Sequence, residues 1–159
     1  MELTINTTQL QSMVARSIKG ASCNKMIPMT SMMAIEKKDG FVTLITTDAN
    51  NYLIVRTPAL TENDTEFYVV VPVVLFSQLV AKLTCETVTL KFEDGQFTVF
   101  GNGSYKIELP LDENGDFIKL PAPYNEMLAD KYDSEISIES VKRILKANKA
   151  ALATTLEVP

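Results

Sequence analysis

Histidine is absent from the 159 residues. That removes imidazole acid–base catalysis, the Ser-His-Asp triad and the common zinc sites together. Cysteine is scarce: Cys23 and Cys85 stand far apart in no metal-ligand spacing, which reads as two unpaired thiols in loops. No apolar run approaches the ~20 residues of a membrane span. The start, Met1-Glu2-Leu3-Thr4, lacks the basic and apolar regions of a signal peptide. A cytoplasmic protein is therefore expected, and the Asn-x-Ser/Thr matches at Asn6, Asn63 and Asn102 carry no glycosylation argument. The length predicts one domain, or one plus part of a second.

Catalytic constellations are missing too. Asp112-Glu113-Asn114-Gly115-Asp116 resembles a calcium loop only superficially. Its glycine is at the fourth place instead of the sixth, and Pro123 stands where the closing Glu is needed. Gly101-Asn102-Gly103 lacks the Lys-Ser/Thr of a phosphate loop. Asp39, Glu93 and Asp94 sit at turn signals and form no carboxylate dyad. The expectation is no enzyme, no cofactor and no metal.

What is present is a repeated unit, a short strand running into an amphipathic helix. Leu3-Thr4-Ile5 leads into a helix whose Leu10, Met13, Val14 and Ile18 form one apolar stripe. Thr7 or Thr8 is the expected cap, and Gly20 the expected left-handed stop. Val69-Val70-Val71 leads into a second helix burying Phe76, Leu79, Val80 and Leu83, with Pro72 expected at its first position. Glu135-Ile136-Ser137 leads into a third, burying Val141, Ile144 and Leu145. Strands are expected over 29–37, 41–47 and 52–59, and over 87–92, 96–100 and 104–111. Lys38-Asp39-Gly40 and Glu93-Asp94-Gly95 mark the hairpins. The Asp39–Leu44 and Asp94–Val99 segments correspond, as do Leu10, Met13, Val14 and Arg16 with Phe76, Leu79, Val80 and Lys82. The first half carries extra chain between helix and hairpin, over Gly20–Pro28. The fold class is α+β: pseudo-repeated βαβββ units with two helices on one face of antiparallel sheets. Asp112 to Asp133, acidic and punctuated by Pro121 and Pro123, reads as a linker.

The net charge is −5, yet its distribution is sided. The expected helices, 7–19, 73–83 and 139–152, hold Arg16, Lys19, Lys82, Lys142, Arg143, Lys146 and Lys149 against one acid, Glu139. The plainer explanation is that Lys and Arg form helices well and sit on solvated faces. Three helices with a single acid among them favour a cationic surface instead. Outward polar stripes on adjacent helices suit a phosphate backbone read by charge. With no aromatic row for stacking single strands and no base-reading helix, duplex DNA without sequence preference is the expected partner.

An ordered series of segments then resembles the bacterial sliding clamp, the β subunit of DNA polymerase III. Ile27-Pro28-Met29 to Ile35 is similar to that family's Leu-Pro-Ile-Leu segment, and Thr46-Thr47-Asp48 to its Thr-x-Thr-Asp turn. Val70-Val71-Pro72 with Leu75-Phe76 resembles its Val-Pro-Ala-x-x-Phe helix start. Phe117-Ile118-Lys119-Leu120-Pro121 resembles its Phe-Pro-x-Leu-Pro linker with the first proline replaced, and Ser140-Val141-Lys142-Arg143-Ile144 the start of its second domain.

The resemblance implies a DNA-clamp fold. Residues 1–125 would be the clamp N-terminal domain, and 126–159 the linker and first strand-helix of the second domain. It implies a processivity factor: a homodimeric ring of three-domain subunits, helices lining the hole, tethering the replicative polymerase to DNA. The polymerase catalytic subunit and clamp loader would bind through the domains this chain lacks. Asn24 stands where the family has a DNA-contacting basic residue and Lys25 follows, so the contact passes to Lys25. Val73-Val74-Leu75 replaces family basic residues, which weakens the wall there or places it at a subunit contact. Tyr105 and Ile107 fall on the edge-strand positions of the subunit interface. The rival reading is a non-catalytic β-rich interaction module that forms no ring.

Overall fold

The computed structural model describes residues 1–22, 26–60, 66–121 and 136–148. The expectations for Cys23, Asn24, Lys25, Asn63 and Lys149 lie outside them. The chain divides into two compact units, Met1–Pro121 and Ala122–Pro159.

The first unit runs β1 (Glu2–Asn6), α1 (Thr7–Ser17), β2 (Met32–Lys38), β3 (Phe41–Thr47) and β4 (Tyr52–Pro58), then repeats as β5 (Phe67–Pro72), α2 (Val73–Ala81), β6 (Thr87–Glu93), β7 (Gln96–Phe100) and β8 (Ser104–Ile107). Two βαβββ units are therefore present. The halves are also interlocked. One sheet has the order β1-β6-β7-β8 and the other β4-β3-β2-β5, with every pairing antiparallel. Each sheet takes its lead strand from one half and its meander from the other. The turns that set both hairpin registers are alike: Asp39 and Gly40 have φ of 50° and 74°, Asp94 and Gly95 of 51° and 76°. Two consecutive left-handed residues make the tight turn whose twist matches the strands it joins.

Alternation puts Leu3 and Ile5, Met33 and Ile35, Val42 and Leu44, Val69 and Val71, Val88 and Leu90, and Phe97 and Val99 into one core, with Leu10, Met13, Val14, Phe76 and Val80 of the helices. Phe97 joins the layers. Its ring lies 6.3 Å from that of Phe67 in the other sheet and 6.4 Å from that of Phe76 on α2, both tilted. Both helices thus pack on the inward side of the sheets, and the outward sheet faces point away from them.

Several local expectations need correction. Asn6, not Thr7 or Thr8, caps α1: its side chain accepts the Gln9 N–H at 3.2 Å. Asn6 has extended backbone and still pairs with Thr87 in the sheet, so the turn into the helix falls on it. Pro72 sits at the N-cap position of α2, with ψ of 121° and no capping side-chain bond, instead of opening the helix. Gly20 closes a 3-10 turn (Ile18–Gly20) and is not among the glycines of positive φ; its role is close approach to Leu53 and Thr46. The Pro28–Ser31 segment is a second 3-10 turn, so β2 begins at Met32 instead of Met29. β8 ends at Ile107, ahead of Pro110, a residue with no N–H to extend the ladder.

The expected linker is, up to Pro121, a strap on the first unit. Leu111 bridges to Phe117. Phe117 meets Phe92 edge-on, centroids 5.3 Å apart. Leu120 is 3 % exposed and donates its N–H to the Tyr68 hydroxyl at 3.1 Å. The Asp112 carboxylate organises the turn between, accepting the N–H groups of Asn114 and Asp116 at 2.8 and 2.9 Å. Those amides, rather than a cation, hold its pKa below the ordinary carboxylate value.

In the second unit the described residues contain one helix, α3 (Ile138–Asn148). Ser137, expected in a strand, caps it by accepting the Ser140 N–H at 3.2 Å. Ile144 and Leu145, expected in a core, are exposed, as is Ile138, and Val141 is half-buried. Among the described residues of this unit no sheet covers the stripe, as a helix needs to bury its apolar side.

Candidate nucleic-acid interface

The face that α1 and α2 turn away from the core is the candidate surface. Burial of Leu10, Met13 and Val14 leaves Thr8, Ser12, Ala15 and Arg16 outward on α1. Burial of Val73, Phe76 and Val80 leaves Val74, Leu75, Gln78 and Ala81 outward on α2. The helices are tied through Gln11. Its side-chain amide donates to the Val80 and Leu83 carbonyls, both at 3.0 Å. Val80 is in the last turn of α2 and Leu83 lies just past its end, where carbonyls run short of i+4 helical partners. Between the helices runs a groove of about 500 Å³ lined by Val14, Ala15, Ile18, Ser77, Gln78 and Ala81. The small side chains keep it open.

Neither helix carries an acid. Arg16 is exposed, and its Nε donates to the Ser12 carbonyl at 3.2 Å, laying the side chain back along the helix. Lys19 is exposed on the 3-10 turn beyond α1, and Lys82, also exposed, caps the end of α2. Cations at helix C-termini are favoured by the helix dipole whatever their further role. The structure therefore brings Arg16, Lys19 and Lys82 onto helix ends of the first unit. Lys142, Arg143 and Lys146 are exposed on α3 in the second unit.

Tyr105 and Ile107 occupy β8, the outer strand of its sheet. Their side chains do not face outward. Ile107 is 4 % exposed and joins the core, and Tyr105 is half-buried against it. The tyrosine ring lies over Gly103, where an added Cβ would sit 3.0 Å from its hydroxyl. What β8 leaves open among the described residues is its backbone edge, with Ser104 and Lys106 outward. Beside that edge is a cleft of about 960 Å³ whose walls include Leu75, Lys106, Leu109, Leu111 and Phe117. Val74, Leu75 and Leu111 are each half exposed. Sequence reasoning missed Gln11, and of the apolar rim it singled out only Val73-Val74-Leu75, as a weakened wall or a subunit contact. The signal there is three consecutive apolar residues, which cannot all face one side of a helix.

Among the described residues no group of three acidic, cysteine or histidine side chains could hold a metal ion. No described helix is long and apolar enough to cross a membrane.

The family model for the DNA polymerase III beta subunit, N-terminal domain, matches residues 1–121. The chain belongs to this family. The clamp fold recurs in solved relatives. The sliding clamp of Bartonella birtlesii aligns over 98% of this chain and 40% of its own, with 18% identity and a TM-score of 0.76. The Pseudomonas aeruginosa beta subunit aligns over 99% and 41%, at 16% identity and a TM-score of 0.75. The Thermotoga maritima beta subunit aligns over 76% and 33%, at 22% identity and a TM-score of 0.62. Identities this low speak for the fold alone. The chain spans about two fifths or less of the length of each of these clamps. No curated protein sequence matches it.

Proposed function

We propose that this chain forms part of the wall of a sliding clamp, a non-catalytic ring that encloses duplex DNA and tethers the replicative polymerase in the cytoplasm. The observation that carries the reading is the α1–α2 face. It is an acid-free helix pair on the inward side of two sheets, in a chain of the beta-subunit family. Enclosure needs no tight contact. A few cations facing phosphate, without base recognition, allow the ring to slide. Arg16, Lys19 and Lys82 are the proposed contacts of the first unit, with Asn24 and Lys25, which follow α1 in the sequence. Lys142, Arg143, Lys146 and Lys149 are those of the second. Polymerase and clamp loader are assigned to the portion of a clamp beyond the length spanned here.

The subunit interface is proposed at the β8 edge. Strand addition supplies backbone hydrogen bonds there, and Val74, Leu75 and Leu111 supply an exposed apolar rim. Tyr105 and Ile107 support that edge from behind. The rival interaction module would use the same edge without enclosing DNA.

Topology separates the two. A clamp carrying this chain stays on a nicked circular plasmid through gel filtration and leaves when the plasmid is linearised. Equal retention on both forms, or none on either, overturns the ring. Lys25→Ala and Lys146→Ala shorten retention on the circle. Each of Arg16→Ala and Lys82→Ala reduces the salt slope of DNA binding by about one unit or less, as loss of one phosphate contact does.

A further inference from the structure

The strap described above does not close flush on the sheets. Beneath it lies a cavity of about 230 Å³, walled by Tyr68 and Val70 of β5, Phe92 of β6, and Leu109, Phe117 and Lys119 of the strap. Three of these side chains are aromatic rings. Protein interiors are ordinarily packed to crystal density, so an apolar space of this size leaves its lining short of partners. Several of the walls are held in place by bonds and packing of their own. Phe117 is fixed edge-on against Phe92, the Ile118 N–H bonds the Pro110 carbonyl at 3.3 Å, and the Tyr68 hydroxyl is engaged by the Leu120 N–H. Val70 is locked in the sheet opposite Ala34. A largely apolar pocket with a polar group at its mouth is the usual form of a small-molecule site.

The lining contains a single charged side chain, Lys119. It is exposed and forms no ion pair among the described residues. A ring-sized apolar body with an anionic end satisfies both features, the ring among Tyr68, Phe92 and Phe117 and the anion toward the lysine. We infer that the cavity under the strap is a binding site for a small aromatic carboxylate. The site is separate from the α1–α2 face and does not depend on the clamp reading.

The probes are 4-methylbenzoate and its neutral counterpart 4-methylbenzamide, titrated into the whole chain with methyl-resolved NMR. The benzoate is expected to shift the methyl signals of Val70, Leu109 and Ile118, and to bind about two- to fivefold more tightly than the amide, the worth of one exposed ion pair. Lys119→Gln is expected to equalise the two. Ile118→Trp fills the cavity and is expected to abolish both while leaving the thermal transition in place; Leu109→Phe serves if that variant unfolds. Shifts confined to other regions, no shift up to the solubility limit, equal affinity of acid and amide for the unaltered chain, or undiminished binding in a folded cavity-filled variant would each overturn the assignment.

Discussion

Gly20→Ala is a substitution whose sign distinguishes two physical roles. A glycine that merely ends a helix in solvent, at a φ alanine can adopt, gains about 0.4–1 kcal/mol of stability on change to alanine, through the unfolded chain. At Gly20 the added Cβ would fall inside contact distance of Leu53 Cβ and 2.6 Å from Thr46 Oγ1. Leu53 Cβ is fixed by the β4 backbone and cannot rotate away. Thr46 Oγ1 is fixed too, because it donates to the Ser17 carbonyl at 2.7 Å in a fully buried bond. Relief therefore requires moving the 3-10 turn off β4, an overpacking cost of about 1–3 kcal/mol, or breaking the Thr46 bond, which strands a buried hydroxyl at a similar cost. Net of the unfolded-state gain, the loss is a few tenths to about 2.5 kcal/mol, read as a lower urea midpoint at constant m-value. Gly40→Ala is the control. Gly40 has φ of 74° and nothing within 4 Å, so backbone strain alone acts there, at about 1 kcal/mol. A midpoint for Gly20→Ala equal to or above that of the unaltered chain would refute the close-approach account of this residue.

Two further outcomes follow from other turns. Ala49 is held at φ of 84° by the Asp48 turn, so Ala49→Gly should stabilise by about 1 kcal/mol, measured by the same denaturation. The Asp48 carboxylate accepts the side-chain amide of Asn51 and the N–H groups of Asn50 and Asn51, and these bonds lower its pKa below 3.8. A carboxyl depressed in the folded state contributes stability at pH above its unfolded value, and loses it as pH falls through the folded one. Asp48 should therefore titrate by NMR below pH 3.8, and Asn51→Ala should move that titration upward; an unmoved titration would remove the amide as its main cause.

The parts of the fold legible in the chain were those with local physics. The two Asp-Gly turns announced both hairpins and their equivalence, because Asp-Gly favours the left-handed pair of a type I′ turn. Leu10, Met13 and Val14 announced the buried side of α1 through helical spacing. The interlocking of the halves was not legible. Alternation in Val69–Val71 says which residues face inward but not which strand lies beside them, and β5 pairs with β2 across the sequence. Asn6 was overlooked as the cap because it also ends a strand. The strap escaped because Phe117 and Leu120 have no periodic partners; only tertiary contact with Phe92 and Tyr68 orders them. Tyr105 and Ile107 illustrate the same limit at the site. Their place on an edge strand could be inferred from the resemblance, but the inward direction of their side chains follows from pairing with Val99 and Phe97, which alternation alone leaves two ways open.

The direction in which the helix pair looks can be measured by photocrosslinking on a nicked circular plasmid. A benzophenone side chain is placed at Gln78, exposed on α2 beside the inter-helix groove, and in a second protein at Thr98, on the outward sheet face. With the helices lining the channel, Gln78 crosslinks to DNA, Thr98 does not, and the Gln78 product disappears when the plasmid is linearised before irradiation. Crosslinking from Thr98 in preference to Gln78, or a Gln78 product indifferent to linearisation, would contradict a clamp wall built from α1 and α2.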